Sequence, residues 1–275
     1  MYNLEIRVMK KIVYFISLLL LFAVACEKND ANNDTQVQEE PSLVYATEPI
    51  AGRDVVVVKP ADVEATAPVV ILLAEDLELR ASDLETPNIN FKAAEHCLIG
   101  RYVLCVIKTR GKEDLSFLTS VKEAFAGASK FYLLSYRNGL SYTAAMQMPN
   151  EFAAFGCISG AIDVATYKTN SFQKAVPFVH VHATKNSAYK WTGVESKSVS
   201  VPLSVGAIVA VNECISFKTT ELMPREGKGR VSCTHYTGGQ SGCDVKLYSV
   251  DSANSGWCDA EFEVYNQVWN FLKTH

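Results

Sequence analysis

The sequence predicts an α/β fold in which a mainly parallel sheet carries helices on both faces. From residue 42 onward, short runs rich in β-branched residues alternate with segments of helical periodicity, the pattern of strand–helix–strand units. Several runs are continuously apolar, as strands buried on both faces are. Hydrophobic residues form 48% of the 275 residues and charged residues 20%, which excludes a disordered chain, collagen or a coiled coil.

The predicted strands are runs of mostly β-branched and aromatic residues. In chain order they cover residues 54–59, 68–74, 102–108, 130–135, 153–159, 177–183 and 245–250. Helical periodicity predicts helices over residues 88–99, 114–128, 140–148 and 261–274. The last helix should be amphipathic, because one face carries Phe262, Tyr265, Trp269 and Leu272. We therefore expect a single domain over residues 42–275.

The first 25 residues are predicted to be a signal peptide. Lys10 and Lys11 precede an apolar run, residues 12–25, that is too short to span a membrane. The run ends in LFAVAC, and these letters resemble the lipobox of bacterial lipoproteins. That resemblance implies cleavage before Cys26 and attachment of lipid to it. The alternative is an ordinary secretory signal in which Cys26 stands by chance, and either interpretation predicts export.

Residues 26–41 are predicted to be a disordered tether, because they contain too few apolar side chains to offset the entropy of ordering.

The formal net charge of −4 leaves no basic surplus for phosphates, so nucleic acid is not an expected partner. The expected partner is the membrane, reached through the lipid anchor in the bacterial cell envelope. By resemblance to lipoproteins generally, Glu27 after the cysteine favours the outer membrane, facing either the periplasm or the surface.

Four segments resemble the polyhydroxybutyrate depolymerase and feruloyl esterase group of α/β-hydrolases. They read SYRNGL at 135–140, PNEFAAFGCISG at 149–160, VPFVHVHATKN at 176–186 and VKLYSVDSANSGW at 245–257. The resemblance extends from about residue 42 to the C-terminus. It implies an α/β-hydrolase fold, no cofactor, and a nucleophile at the sharp bend after the fourth predicted strand.

The family's catalytic residues are not found at the matching positions. The nucleophile position falls on Arg137, the acid on Asn186 and the base on Ser255, or on Asn254 with a shift of one residue. The oxyanion loop falls on Ala74 and Glu75. Arginine has no attacking oxygen, asparagine carries no charge to stabilise an imidazolium, and serine cannot shuttle protons near neutral pH.

The sequence therefore predicts an esterase-like lipoprotein that lacks an intact set of catalytic residues and has a binding or scaffolding role. The resemblance suggests an acylated saccharide or an aromatic acid as ligand. The alternative is an active carboxylic ester hydrolase that uses displaced residues, for which Ser135 and Ser141 flank the bend. A third possibility is a structural envelope protein whose cleft is filled by side chains.

Arg137 needs a partner if it points into the former pocket, because an unpaired buried charge is costly. We expect Glu75 to be that partner, with Asp76 as the neighbouring candidate. His180 and His182 share one strand face, but no third ligand is spaced to complete a metal site. We therefore predict no metal.

Aromatic and cysteine residues complete the candidate set. Tyr189, Trp191 and Trp257 are candidates for an aromatic or saccharide surface, or for ordinary packing. Cys97, Cys105 and Cys157 lie in apolar runs and should be inert buried thiols. Export favours disulfides among the later cysteines. By the family resemblance, Cys214 with Cys243 is the preferred pair and Cys233 with Cys258 the second.

Overall fold

Ten strands form one sheet in the part of the chain that the computed structural model describes, which is residues 42–75, 93–253, 258 and 261–275. The strands are β1 (Leu43–Ile50), β2 (Arg53–Pro60), β3 (Val69–Ala74), β4 (Val103–Lys108), β5 (Phe131–Tyr136), β6 (Ala154–Ile158), β7 (Phe178–Ala183), β8 (Ser216–Leu222), β9 (Val231–Thr237) and β10 (Val245–Val250). Their order across the sheet is β1-β2-β4-β3-β5-β6-β7-β10-β9-β8.

The centre of the sheet is parallel and its two edges are antiparallel. Strands β4, β3, β5, β6, β7 and β10 run in one direction. β2 with β1 at one edge, and β9 with β8 at the other, pair antiparallel. Every residue of β3 is buried, as expected for a central parallel strand with both faces covered.

Six α-helices lie in the described part of the chain. They are α1 (Ala93–Gly100), α2 (Asp114–Ala124), α3 (Leu140–Gln147), α4 (Val164–Thr169), α5 (Val201–Val211) and α6 (Val264–Leu272). Helices α1 and α6 contribute to the hydrophobic cluster on one face of the sheet, and α2, α3 and α5 to the cluster on the other. Successive side chains of β3 alternate between the two clusters because side chains alternate along a strand.

The predicted mainly parallel sheet with helices on both faces is confirmed, and each of the seven predicted strands is present within two residues of its expected bounds. Three strands and two helices were not predicted: β1, β8, β9, α4 and α5. Strand β8 is largely polar and exposed, so it lacks the apolar alternation that marks a half-buried strand. Helix α5 is almost entirely apolar, so periodicity cannot distinguish it from a buried strand.

The site predicted from the sequence lies at the carboxyl edge of the parallel strands, where ligands bind in open α/β sheets. Glu75 follows β3, Arg137 follows β5 and Asn186 lies just beyond β7. The residues predicted as signal peptide and tether, 1–25 and 26–41 with Cys26, lie outside the described residues.

Candidate functional site

The bend between β5 and α3 carries Arg137 at its tip. The φ angle of Arg137 is 58°, in the left-handed region that few non-glycine residues adopt. Its backbone N–H donates to the carbonyl oxygen of Ile158 at 2.9 Å. Next to it, Asn138 Nδ2 donates to the carbonyl oxygens of Leu73 at 3.1 Å and Tyr136 at 2.8 Å. These hydrogen bonds hold the bend against both neighbouring strands.

Two glycines allow the bend to pack backbone against backbone. A Cβ atom at Gly139 would lie 2.1 Å from the carbonyl oxygen of Ala161, and one at Gly160 would lie 2.0 Å from that of Asn138. Neither position has room for a side chain unless the backbone moves. The bend therefore keeps a tight strand-to-helix turn, although a guanidinium stands at its tip.

Tyr189 contacts both charged residues of the site. Its hydroxyl donates to Glu75 Oε2 at 2.7 Å, and its ring centroid lies 5.4 Å from Arg137 Cζ, within cation–π range. The expected ion pair between Glu75 and Arg137, both of which the structure describes, is not formed. That prediction is wrong because the Tyr189 phenol, and not the guanidinium, reaches the carboxylate.

The positions matched to the oxyanion loop are Ala74 and Glu75. The carbonyl oxygen of Ala74 accepts from the Thr109 N–H at 2.9 Å, and the Glu75 N–H donates to the carbonyl oxygen of Tyr136 at 3.2 Å. The Glu75 N–H is therefore used at the sheet edge. Its carboxylate would oppose negative charge developing nearby.

Asn186 is buried and shapes the loop that carries Tyr189. Asn186 Oδ1 accepts hydrogen bonds from the backbone N–H groups of Ala188 at 3.0 Å and Tyr189 at 2.9 Å. Its Nδ2 atom is buried without a hydrogen-bond partner among the described residues. Here the amide oxygen organises the backbone, a role for which no charge is needed.

The other members of the predicted site lie outside the described residues. They are Ser255 with its neighbour Asn254, together with Asp76 and Trp257. The roles expected for them stay predictions.

Ser135 and Ser141 lie beneath the bend and are fully buried. Their hydroxyl oxygens are 2.6 Å apart, and Ser135 also donates to the carbonyl oxygen of Asn138 at 3.1 Å. Cys157 Sγ donates to the same carbonyl oxygen at 3.4 Å, and burial raises the pKa of its thiol to about 12. Within the described residues, no hydrogen bond joins an imidazole to any of these three side chains, the contact by which a base would activate a displaced nucleophile.

His180 and His182 belong to a buried hydrogen-bonded chain. The Tyr142 hydroxyl lies 2.7 Å from His180 Nδ1, and His180 Nε2 lies 3.2 Å from His182 Nδ1. The chain ends with His182 Nε2 at 2.7 Å from the Tyr189 carbonyl oxygen. All four ring nitrogens are thus engaged, and the described residues hold no group of three side chains that could bind a metal.

The expected disulfides are absent from the structure. Cys214, Cys243, Cys233 and Cys258 each carry a thiol. Cys214 Sγ lies 3.8 Å from the backbone carbonyl oxygen of Cys243, so it meets the backbone rather than the partner sulfur. Cys233 lies opposite Tyr248 in the β9–β10 ladder. The prediction of these two bonds is therefore corrected.

Sequence reasoning missed Tyr142 and the roles of the histidine pair and Tyr189. Tyr142 is 38 residues from His180 along the chain, and no local pattern signals such a contact. The sequence signal for the histidine pair was its spacing: His180 and His182 are two residues apart on one strand, so their side chains share a face and an environment. None of the described helices combines the length and apolarity that crossing a bilayer requires.

Comparisons with known proteins support the fold. No family model and no curated protein matches the sequence. An acetyl xylan esterase from Aspergillus awamori is similar in structure, with 9% identity, a TM-score of 0.50, and coverage of 76% of this chain and 92% of that one. The feruloyl esterase module from Clostridium thermocellum is also similar, with 8% identity, a TM-score of 0.41, and coverage of 62% of this chain and 73% of that one. At identities this low, structural similarity shows the fold alone. The fold of this protein is that of the α/β-hydrolases.

Proposed function

We propose that this protein is a binding protein built on an α/β-hydrolase fold, and that it does not hydrolyse esters. One observation carries the proposal: Arg137 stands at the tip of the bend after β5, with the left-handed backbone retained. A hydrolase of this fold presents an attacking hydroxyl there. A guanidinium is protonated at every physiological pH and has no oxygen to attack a carbonyl.

The neighbouring groups agree with this proposal. Asn186 is neutral at the position matched to the acid and uses its oxygen to hold backbone N–H groups. Glu75 places a carboxylate at the position matched to the oxyanion loop, where it disfavours developing negative charge. Losing any one triad member lowers turnover on the order of 10⁴-fold.

The proposed ligand is an acylated saccharide or an aromatic acid. Arg137 supplies a cation for a carboxylate, and the ring of Tyr189 supplies an aromatic face beside it. The esterases of similar fold, one named for acetyl xylan and one complexed with sinapinate, suggest the same chemical class.

We further propose that the protein is anchored in the bacterial cell envelope, at the outer membrane, by lipid on Cys26. The apolar run before Cys26 and the polar segment after it support this proposal. Replacing Cys26 by alanine should move the protein from the membrane fraction to the soluble fraction and abolish labelling by a palmitate analogue. Unchanged membrane association would contradict the anchor.

The function is tested by measuring turnover and binding together. The purified protein should not release p-nitrophenol from short-chain esters, and Arg137→Ser should not create this activity. Calorimetry with sinapinate and acetylated xylo-oligosaccharides should detect binding without product. Arg137→Ala should weaken sinapinate binding about tenfold or more, the equivalent of losing one charge-assisted hydrogen bond of about 1.5 kcal/mol.

Arg101→Ala is the matched control, because Arg101 pairs with Asp62 on the surface and should not affect binding. Ester hydrolysis by the wild-type protein that a serine-directed reagent stops would overturn the proposal in favour of the active hydrolase. Absence of binding to both probes would favour the structural envelope protein.

A further inference from the structure

We propose that the buried chain of Tyr142, His180 and His182 is an acid-sensitive clasp that holds the Tyr189 loop against the candidate site. The chain joins α3 to β7 and ends on the backbone of the loop, at the Tyr189 carbonyl oxygen. Both imidazoles are fully buried. This clasp would regulate the site of the proposed function, but it does not depend on which ligand is bound there.

The hydrogen-bond directions in the chain are determined by its last acceptor. A carbonyl oxygen only accepts, so His182 Nε2 must carry the proton that points to Tyr189. In a neutral ring His182 Nδ1 then accepts, which requires a proton on His180 Nε2. His180 Nδ1 in turn accepts from the Tyr142 hydroxyl. At neutral pH both histidines are therefore the Nε2–H tautomer.

The clasp holds the residue that links the charged groups of the site. The Tyr189 N–H donates to Asn186 Oδ1 at 2.9 Å, and its hydroxyl donates to Glu75 Oε2 at 2.7 Å. With the His182 contact, the backbone and side chain of Tyr189 are held at three points. Releasing the carbonyl contact would remove the one of these three points that joins Tyr189 to β7.

The groups that face the histidine pair do not balance a positive charge. Tyr142 on α3 contacts His180, and Cys157 on β6 lies opposite His180 in the β6–β7 ladder. The rings of Trp191 and His182 meet edge to face, with centroids 6.0 Å apart. Carbonyl oxygens of Tyr189 and Gly160 favour protonation of His182. Among the described residues, no carboxylate contacts either ring.

Protonation therefore works against the closed loop. One extra proton, on His180 Nδ1, can be hydrogen-bonded if the Tyr142 hydroxyl turns to accept it. A second proton, on His182 Nδ1, would point at the proton that His180 Nε2 already carries. Burial lowers the pKa of both histidines, and the neighbouring His182 lowers that of His180 further. The closed form thus binds fewer protons than the open one, so acid favours opening below the ordinary histidine pKa of about 6.5.

Hydrogen–deuterium exchange of the full-length protein in detergent tests the clasp. After correction for intrinsic exchange rates, the equilibrium constant for opening of residues 186–193 should increase below about pH 6.5. The increase should be about tenfold per pH unit for each proton taken up. Helix α6 should keep its protection over the same range. Nitrogen NMR of the wild-type protein should find both rings as neutral Nε2–H tautomers at pH 7.

Two variants separate the clasp from general acid sensitivity. Replacing both histidines, His180→Gln with His182→Gln, keeps donors and acceptors in line but removes titration, so protection of the loop should become independent of pH. His235→Gln removes a half-buried histidine paired with Asp244 and should retain the wild-type pH dependence. The proposal would be overturned if protection of residues 186–193 in the wild type stays constant from pH 7.5 to 5. It would also be overturned if either histidine is found as the Nδ1–H tautomer.

Discussion

Arg137 shows that the bend after β5 accommodates a guanidinium side chain at its tip. A non-glycine residue in the left-handed region costs about 1–3 kcal/mol, yet Arg137 adopts it. The conformation is imposed by contacts around it, namely the N–H bond to Ile158 and the backbone packing at Gly139 and Gly160. The geometry of this bend is therefore a property of the packing around it.

Gly160→Ala tests this packing. Its Cβ would lie 2.0 Å from the Asn138 carbonyl oxygen, so the bend must shift, and we expect unfolding free energy to fall by at least about 2 kcal/mol in urea denaturation. Gly206→Ala is the control, since it lies within α5 with nothing within 4 Å of its Cβ. That change should stabilise the protein by about 0.5–1 kcal/mol. Similar effects of the two substitutions would contradict this account.

At the scale of elements, the connection between β4 and α2 is held by one carboxylate. Asp114 is fully buried, and its Oδ1 accepts from Arg53 Nη1 at 2.5 Å. Its Oδ2 accepts from the Thr109 hydroxyl at 2.6 Å and from the N–H groups of Arg110 at 2.7 Å and Gly111 at 3.1 Å. The carboxylate thereby joins β2, the neighbour of the edge strand β1, to the loop that begins α2.

Asp114→Asn should destabilise the protein by about 2–4 kcal/mol, because it leaves Arg53 without its counter-ion and turns an N–H₂ group toward donors. Burial raises the pKa of Asp114, but its hydrogen bonds from Thr109, Arg110 and Arg53 outweigh burial and lower it overall. The stabilisation should therefore be complete above about pH 4 and decline as pH falls further.

Urea denaturation of this variant between pH 3 and 7 provides the measurement. The control is Asp62→Asn, which removes an exposed carboxylate paired with Arg101 and should leave the denaturation midpoint unchanged. If the difference between wild type and Asp114→Asn does not shrink below pH 4, the ion pair and hydrogen bonds are not its source.

At the scale of the whole molecule, helices on both faces of the sheet leave most cysteines in the two cores. Cys97, Cys105 and Cys157 are fully buried, as their apolar sequence context predicts, and Cys214 is more exposed than the other described cysteines. Burial raises the pKa of the Cys157 thiol to about 12, so the thiolate needed for reaction is scarce.

Thiol labelling should reflect this arrangement. In the native protein at pH 7.5, a maleimide should react first at Cys214, and Cys157 should react only on unfolding. In denaturant without reductant, all seven cysteines of the described residues should be labelled, since none forms a disulfide there. Mass spectrometry after proteolysis counts them, with a reduced sample as the control. A pair that is labelled only after reduction would contradict the structure.

The central strands were predictable because burial on both faces requires continuous apolar runs, as in β3 and β7. The polar strand β8 was not, because its pairing with β9 is a backbone property that its exposed side chains do not encode. In the site, the chemistry of Arg137 and Asn186 followed from residue type. The residues that contact them could not be predicted from residue type, and the prediction that Arg137 pairs with Glu75 was wrong.

By itself the sequence determined the α/β architecture and the residue type at the tip of the bend, since both follow from local pattern and side-chain chemistry. Only the tertiary structure decided that Tyr189 reaches Glu75, 114 residues away along the chain, and that two strand histidines bind its backbone. Such contacts depend on how the loops after separate strands pack at one edge of the sheet. No local sequence pattern encodes that packing.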